Sequence, residues 1–408
     1  MPGTLRNTLA VAAAIAALGT APAVFGQQAP TAIKIGWAIS KTGPYVGGAS
    51  ITTLPAYQVW VKDVNAAGGI MLKSLGKKLP VQVTEYDDRS NSDEMIKGIE
   101  RLATQDKVDF ILPPWGTAFN LAAGPILNRY GYPHLAVTAT TDRAPELAKR
   151  WPNSFWFLGT STQGAHALVD VLTKLRTEGK IGSNIALISV ADQFGIELAT
   201  AGRAAFKKAK FNLAYDKSYP LGLQDMQPIL TEAMRSNADV FVAFSYPPDT
   251  FAITAQARLL NYNPKIFYTA VGTAFPVFKQ KFGASIEGQM GIGGINPQSQ
   301  EFKDYLKRHA ETTGGSEPDR WANPVTYASL QILQQAIERV GKIDRAAVIK
   351  EIQTGSFDTI VGKVKLQNNL RVDGWQVGQW QGGEYYGLYP ENLPGAHKIL
   401  FPKPAWTK

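Results

Sequence analysis

Four threonines and a tryptophan, Trp115, Thr117, Thr138, Thr140 and Thr141, fall in two short polar segments of the stretch Ile111 to Asp142. Their hydroxyls, with backbone N–H groups such as that of Gly116, are neutral donors, and neutral donors can hold a carboxylate. Trp115 would add an aromatic wall beside them. Threonines also cap helices and close turns, and one such loop alone would mean no more than that. Two adjacent loops, one carrying a tryptophan, point to a ligand site.

Elements on either side must position these loops. VDFIL, 108–112, is a short apolar run suited to a buried parallel strand, and PPWGT breaks it with Pro113, Pro114 and Gly116. A helix is expected from Asn120 to Tyr130, and HLAV leads into a second strand that ends in TATTD. In an open α/β sheet, ligands bind outside the carboxyl ends of the strands. Both polar segments would then face one crevice.

Residue types that support covalent or metal chemistry are scarce. There are 4 histidines, none paired at metal-ligand spacing, and no cysteine. GTSTQG, 159–164, lacks the spacing of a nucleophile elbow, and GIGG, 291–294, is not followed by the third glycine of a dinucleotide fingerprint. Asp87 and Asp88 are expected to form a solvated turn. The chain reads as a binding protein, not an enzyme, and no cofactor or metal is implied.

A chain of 408 residues suggests two domains, and 45% apolar with 18% charged residues allows a full core. The formal charge of +9 is scattered, with KKAK at 207–210 as its densest cluster, so no nucleic-acid stripe is visible. Arg6, the apolar run Leu9 to Leu18 and the small residues after it read as a signal peptide, 1–26. Cleavage is expected after Gly26, with Ala23 the other candidate. No later run is long enough to span a membrane, and no cysteine stands near the cleavage site for a lipid anchor. A periplasmic, freely diffusing monomer is the expectation.

In order, strands are expected at Ile33 to Ser40, Leu79 to Asp88 and 108–112, with helices at Thr53 to Ala66 and from Asn91 or Ser92 to Asp106. This β-α-β-α-β order predicts a parallel sheet with right-handed crossovers. A second series has strands at Ile185 to Val190, Asp239 to Ser245 and KIFYTA, with loops holding Phe194, Tyr246 and Val271. The segment 287–296 is glycine-rich and extended, helices are expected at Glu301 to Thr312 and Thr326 to Arg339, and IVGKVKLQ and WQVGQWQGG read as small β structure.

The chain resembles the periplasmic substrate-binding proteins of branched-chain amino-acid-type ABC transporters, the Leu/Ile/Val-binding-protein-like group. The resemblance runs through TGPYVGG, YDDRSNSDEMIKGIERLATQDKVDFILPPWGT, VTATTDRAPEL, ADQFG, FSYPP and IVGKVKLQ. It implies an α/β fold of the type I periplasmic binding protein kind, with two doubly wound lobes and a three-stranded hinge. The lobes would be 27–159 with 288–355, and 160–287 with 356–408. The crossings would lie near Gly159 to Gln163, Glu287 to Gly291 and Gly355 to Gly362. It also implies a ligand carboxylate on Gly116, Thr117 and the loop from Thr138 to Asp142, where helix N-termini offer unpaired donors. Phe194 and Tyr246 would close over the ligand from the other lobe, with Tyr45 of TGPYVGG beside them. The implied partners are a small-molecule carboxylate and an inner-membrane ABC permease.

One departure bears on the ligand. Amino-acid binders of the family hold the ligand ammonium with a glutamate after the third strand of the second lobe, where this chain has Val271. An unpaired buried ammonium costs several kcal/mol, unless Asp142 or Asp192 takes the role. The expected ligand is an aromatic or apolar acid without an α-ammonium. The alternatives are a branched-chain or other apolar amino acid, its ammonium held by carbonyls, Asp142 or Asp192, and a role as a soluble sensor. Tyr246 is expected at the crevice and not in the core, so that Tyr246→Ala weakens binding without unfolding.

Overall fold

Ile33–Ile39 is the middle strand of a small parallel sheet, flanked by Val81–Asp87 on one side and Phe110–Leu112 on the other. Ile35 stands opposite both Val83 and Phe110. The computed structural model describes Gly3 and residues 29–407. The expected signal peptide, 1–26, therefore lies outside the described residues apart from Gly3. The described residues from Ala32 onward form one compact unit.

The second sheet has seven strands. From one edge they run Glu384–Tyr389, Val377–Gln381, Met290–Ile292, Ile266–Thr269, Val240–Phe244, Asn184–Val190 and Asn212–Tyr219. The last five in this order are mutually parallel, and the first two join antiparallel. Every residue of VFVAF is buried, as a parallel strand covered on both faces requires. The glycine-rich segment expected to be merely extended supplies a strand of this sheet. WQVGQWQGG, expected as small β structure, supplies one of the antiparallel strands.

Local signals account for the helices. Asn91 caps Ser92–Thr104, its side chain accepting the N–H groups of Asp93 (2.9 Å) and Glu94 (3.1 Å). Met95, Ile99 and Leu102 form its buried face, at the spacing of one helical stripe. Each such side chain contributes roughly 1.5–3 kcal/mol when fully buried. GTSTQG turns out to start a helix, Ser161–Thr177, through a capping box in which Thr160 and Gln163 bond each other's backbone. The helix expected from Thr326 begins earlier and spans Ala322–Val340, packing against Leu54–Ala66 of the first half. Its start is set by Asp319, whose buried carboxylate accepts the N–H groups of Trp321 (3.1 Å), Ala322 (3.0 Å) and Asn323 (2.8 Å).

Two expectations are corrected. His134–Ala136 pairs with Ser154–Trp156 in a separate two-stranded sheet and not with Phe110–Leu112. After the helix Ala144–Arg150 the chain turns back and lays 154–156 alongside 134–136, from His134 opposite Ser154 to Ala136 opposite Trp156, with the His134 N–H on the Asn153 carbonyl (2.8 Å). Asp88 is not solvated but fully buried, accepting Ser40 Oγ (2.6 Å) and the Ser90 N–H (2.8 Å). Burial raises its carboxyl to about 6. Its neighbour Asp87 does face solvent, and holds the Lys41 N–H (2.9 Å) and the Thr42 hydroxyl (2.8 Å).

Candidate ligand-binding site

The segment after Leu112 is held from behind by one buried side chain. Asn120, on the helix Thr117–Arg129, sends its Nδ2 to the carbonyls of Pro114 (2.9 Å) and Gly116 (2.8 Å), and more weakly to Thr138 Oγ1 (3.3 Å). Its Oδ1 must then be the acceptor toward His134 Nε2 at 2.9 Å. That makes Nε2 the protonated nitrogen and leaves Nδ1 to accept from Ser154 Oγ at 3.0 Å. Burial lowers His134 to about 3, so the ring is neutral at physiological pH. Gly116 has φ +92°, which a side chain would strain, and its N–H donates to Thr138 Oγ1 (3.0 Å). Trp115 donates from Nε1 to Thr52 Oγ1 (2.9 Å) and lies so close to Gly48 that a Cβ there would sit 1.9 Å from the indole.

The threonine hydroxyls are engaged with the protein. The Thr140 N–H donates to the Thr117 hydroxyl oxygen (3.2 Å), and the Thr140 hydroxyl meets Ser161 Oγ (3.3 Å). Thr141 donates to Glu197 (2.7 Å), a residue of the helix Gln193–Lys208. Asp142 accepts the Thr162 N–H and hydroxyl, both at 2.8 Å.

The facing wall is aromatic around one carboxylate. Asp192 follows the strand Asn184–Val190 and caps the helix Gln193–Lys208 through the Phe194 N–H (3.1 Å). It also accepts the hydroxyls of Tyr45 (2.7 Å) and Tyr246 (2.9 Å). Tyr246 stacks on Phe194 with centroids 5.0 Å apart and rings 14° from parallel, and touches Trp115 at 5.1 Å. Tyr45 meets Trp115 at 5.3 Å and Phe119 at 5.0 Å. Burial pushes the hydroxyl of Tyr246 well up, with Asp192 adding to the rise and the backbone N–H of Thr117 opposing it. Behind this wall Asp249 is buried and raised to about 6, chiefly by desolvation.

Between the walls lies a cavity of about 20 Å³, lined by six of the expected residues: Trp115, Thr138, Thr140, Phe194, Tyr246 and Val271. That is about the space of one water molecule, so the walls are in contact and must part for a larger guest. Gly116, Thr117, Thr141 and Tyr45 support the lining without being part of it. Tyr246 corrects an expectation: at 3% exposure it belongs to the continuous apolar core while also lining the cavity. Four further residues, Thr52, Leu158, Trp321 and Ala322, line the cavity unannounced by the sequence reading. The usable signal for the last two was Asp319 as a cap, with Pro324 in the first turn after it. A larger, open groove of about 890 Å³, lined by Lys279, Glu287, Glu317 and Arg320 among others, holds none of the loop residues. Among the described residues no group of three or more His, Cys, Asp or Glu could hold a metal ion, and no helix is long and apolar enough to cross a membrane.

Comparison with known proteins places this arrangement. The periplasmic binding protein family matches residues 32–384. The Leu/Ile/Val-binding protein homolog 7 of Brucella suis biovar 1 (strain 1330) is 24% identical, covering 95% of this chain and 97% of its own. The leucine-specific-binding protein of Salmonella typhimurium is 23% identical over 92% of this chain and 96% of its own. Two solved structures share the fold at a TM-score of 0.76. The branched-chain amino acid transporter substrate binding protein of Streptococcus pneumoniae, in complex with isoleucine, is 20% identical and covers 91% of this chain and 100% of its own. An ABC-transporter solute binding protein of R. palustris, in complex with benzoate, is 17% identical and covers 92% of this chain and 98% of its own. The α/β architecture is thus the type I periplasmic binding protein fold, and the chain belongs to the periplasmic binding protein family as an extracytoplasmic ligand-binding protein of the ABC-transporter class.

Proposed function

We propose that this protein delivers a small aromatic or apolar organic acid, lacking an α-ammonium group, to an inner-membrane ABC permease. The carrying observation is that no charged residue lines the cavity, and that the adjoining carboxylate, Asp192, already holds two tyrosine hydroxyls and a backbone N–H. An ammonium would find no charged side chain on the lining, and Val271, which the resemblance aligns with the family's glutamate, is one of the lining residues. The ring-rich wall suits a flat apolar body. The acid group would sit at the threonine loops, taking the Thr138 and Thr140 hydroxyls and the N–H groups at the start of the helix Thr117–Arg129, which would exchange their present partners for it.

The ligand would be enclosed by hinge closure of two lobes, 27–159 with 288–355 against 160–287 with 356–408. Packing of the helix Ala322–Val340 on Leu54–Ala66 supports the return of the late helices to the first lobe. The strand Met290–Ile292 pairs within the seven-stranded sheet, so the second crossing falls after Ile292 and not at Glu287 to Gly291. Small-angle scattering with and without ligand tests closure: an unchanged radius of gyration at saturation argues against it.

A second reading is an apolar amino acid. Asp192 favours it, since an ammonium could replace one tyrosine hydroxyl on that carboxylate. Calorimetry with matched pairs decides between them: 3-phenylpropanoic acid beside phenylalanine, and 4-methylpentanoic acid beside leucine. Tighter binding of the deaminated acids is expected. Tight binding of the amino acids alone would assign the ammonium to Asp192 and sink the acid reading.

A further inference from the structure

Trp321 is a buried donor at the cavity with nothing to donate to. It is 5% exposed and lines the cavity, and its Nε1–H has no hydrogen-bond partner. An indole nitrogen can only donate, and buried indole N–H groups usually find an acceptor. Other tryptophans of this chain do: Trp115 reaches Thr52 Oγ1 at 2.9 Å, Trp380 the Thr273 carbonyl at 2.7 Å, and Trp406 the Tyr262 carbonyl at 2.9 Å. Trp156 and Trp375 also lack a partner, but of these three only Trp321 lines this cavity.

The residue is also held in place. Asp319 accepts the Trp321 backbone N–H at 3.1 Å, within the network that starts the helix Ala322–Val340. The ring packs against Trp375, centroids 5.7 Å apart. On the threonine loops every hydroxyl near the cavity has a protein partner. A guest that opens the cavity therefore meets one donor that loses no existing bond by turning to it.

We infer that the Trp321 indole N–H donates to an oxygen of the bound ligand, making Trp321 a specificity-determining residue that favours an acid with an oxygen acceptor at that point. This rests on the organic-acid reading. The acceptor is either a carboxylate oxygen or an oxygen substituent on the ring, and benzoate and 4-methoxybenzoate distinguish the two. The methoxy group accepts but does not donate, so it matches a lone N–H.

The test is an ¹H–¹⁵N spectrum of the indole N–H groups, with the Trp321 resonance assigned by its loss in Trp321→Phe. Calorimetry on both proteins accompanies it. If the carboxylate is the acceptor, both acids move the Trp321 resonance downfield, and Trp321→Phe weakens both by roughly tenfold or more. If the ring oxygen is the acceptor, only 4-methoxybenzoate does so, and the variant narrows its advantage over benzoate. Binding of either acid by calorimetry, with no downfield move of the Trp321 resonance for either, overturns the inference whatever the variant's affinity. If neither acid binds and leucine does, the organic-acid reading fails separately. The leucine-loaded spectrum then decides Trp321 by the same criterion, and an unmoved resonance again overturns the donor role.

Discussion

On the wall that follows Leu112 and Ala136, polar groups lock one another: Asn120, His134, Ser154 and Thr138 form a chain of bonds between 2.8 and 3.3 Å. On the wall that follows Val190 and Phe244, rings supply the contact, and one carboxylate, Asp192, collects the hydroxyls of Tyr45 and Tyr246. The first wall is neutral and rigid because each buried donor has a fixed acceptor. The second is charged at one point and otherwise held by packing. A cleft built this way can grip an acid group on one side and shape its body on the other.

The sharpest way to break the first wall is Asn120→Ala. It removes one bond each from the Pro114 and Gly116 carbonyls, which keep Thr138 Oγ1 (3.4 Å) and the backbone N–H of residue 120 (3.1 Å), and leaves the His134 Nε2–H without an acceptor. One buried donor left unpaired costs about 1–3 kcal/mol and each lost bond about 0.5–1.5 kcal/mol, so a loss of about 3 kcal/mol is expected in urea unfolding. A loss below 1 kcal/mol would show that this network does not hold the loop.

Tyr246→Phe probes the second wall more gently. It keeps the stacked ring and removes the hydroxyl that Asp192 accepts at 2.9 Å. A stability loss of about 2 kcal/mol is expected, since a hydrogen bond to a charged group contributes about 1.5–3 kcal/mol. Tyr246→Ala would also delete a buried ring, at about 3–5 kcal/mol, and so cannot test binding alone.

Acidity should separate the walls by sign. His134 is lowered from 6.5 to about 3, so its contribution is complete above pH 6.5 and is lost as pH falls toward 3. Asp249 is raised from 3.8 to about 6, so its contribution is complete below pH 3.8 and is lost as pH rises toward 6. Between pH 4 and 6 the stability difference from wild type should change in opposite directions for His134→Gln and Asp249→Asn. Each slope can reach about 1.4 kcal/mol per pH unit. Unfolding at several pH values checks this, and slopes of the same sign would contradict it.

The smallest effect concerns a bond between the walls at their rim. Thr141→Val removes the 2.7 Å bond to Glu197, whose carboxylate also takes the Gln193 side chain at 3.0 Å. A loss of about 1 kcal/mol is expected, below the usual range for a bond to a charged group, because Glu197 is only half-buried and keeps Gln193 and the Asp142 N–H (3.2 Å) as donors. Thermal unfolding that drops as far as in Tyr246→Phe would mean that the rim, not the aromatic wall, carries the closure.

Local signals were sufficient for much of the scaffold. Asn91 before two acidic residues gave the helix at Ser92, and unbroken apolar runs such as VFVAF gave strands buried on both faces. The same reading brought Trp115, Thr138, Thr140, Phe194, Tyr246 and Val271 toward one cleft, because each follows a strand and such loops share one edge of their sheet. Apart from Asp319, which places it, nothing local marks Trp321, which arrives from a segment far along the chain, or the burial of Asp88 beside the half-buried Asp87.

Periodicity and capping act within a few residues, and so the sequence by itself determined the elements, the parallel order and the loops that carry the donors. Which donors remain unpaired was decided only by tertiary structure. The Thr141 hydroxyl finds Glu197 across 56 residues, Tyr45 finds Asp192 across 147, and the Trp321 indole finds no partner. Hydrogen bonds form between groups within about 3 Å whatever their separation along the chain, and that proximity exists only once both sheets and their helices have packed.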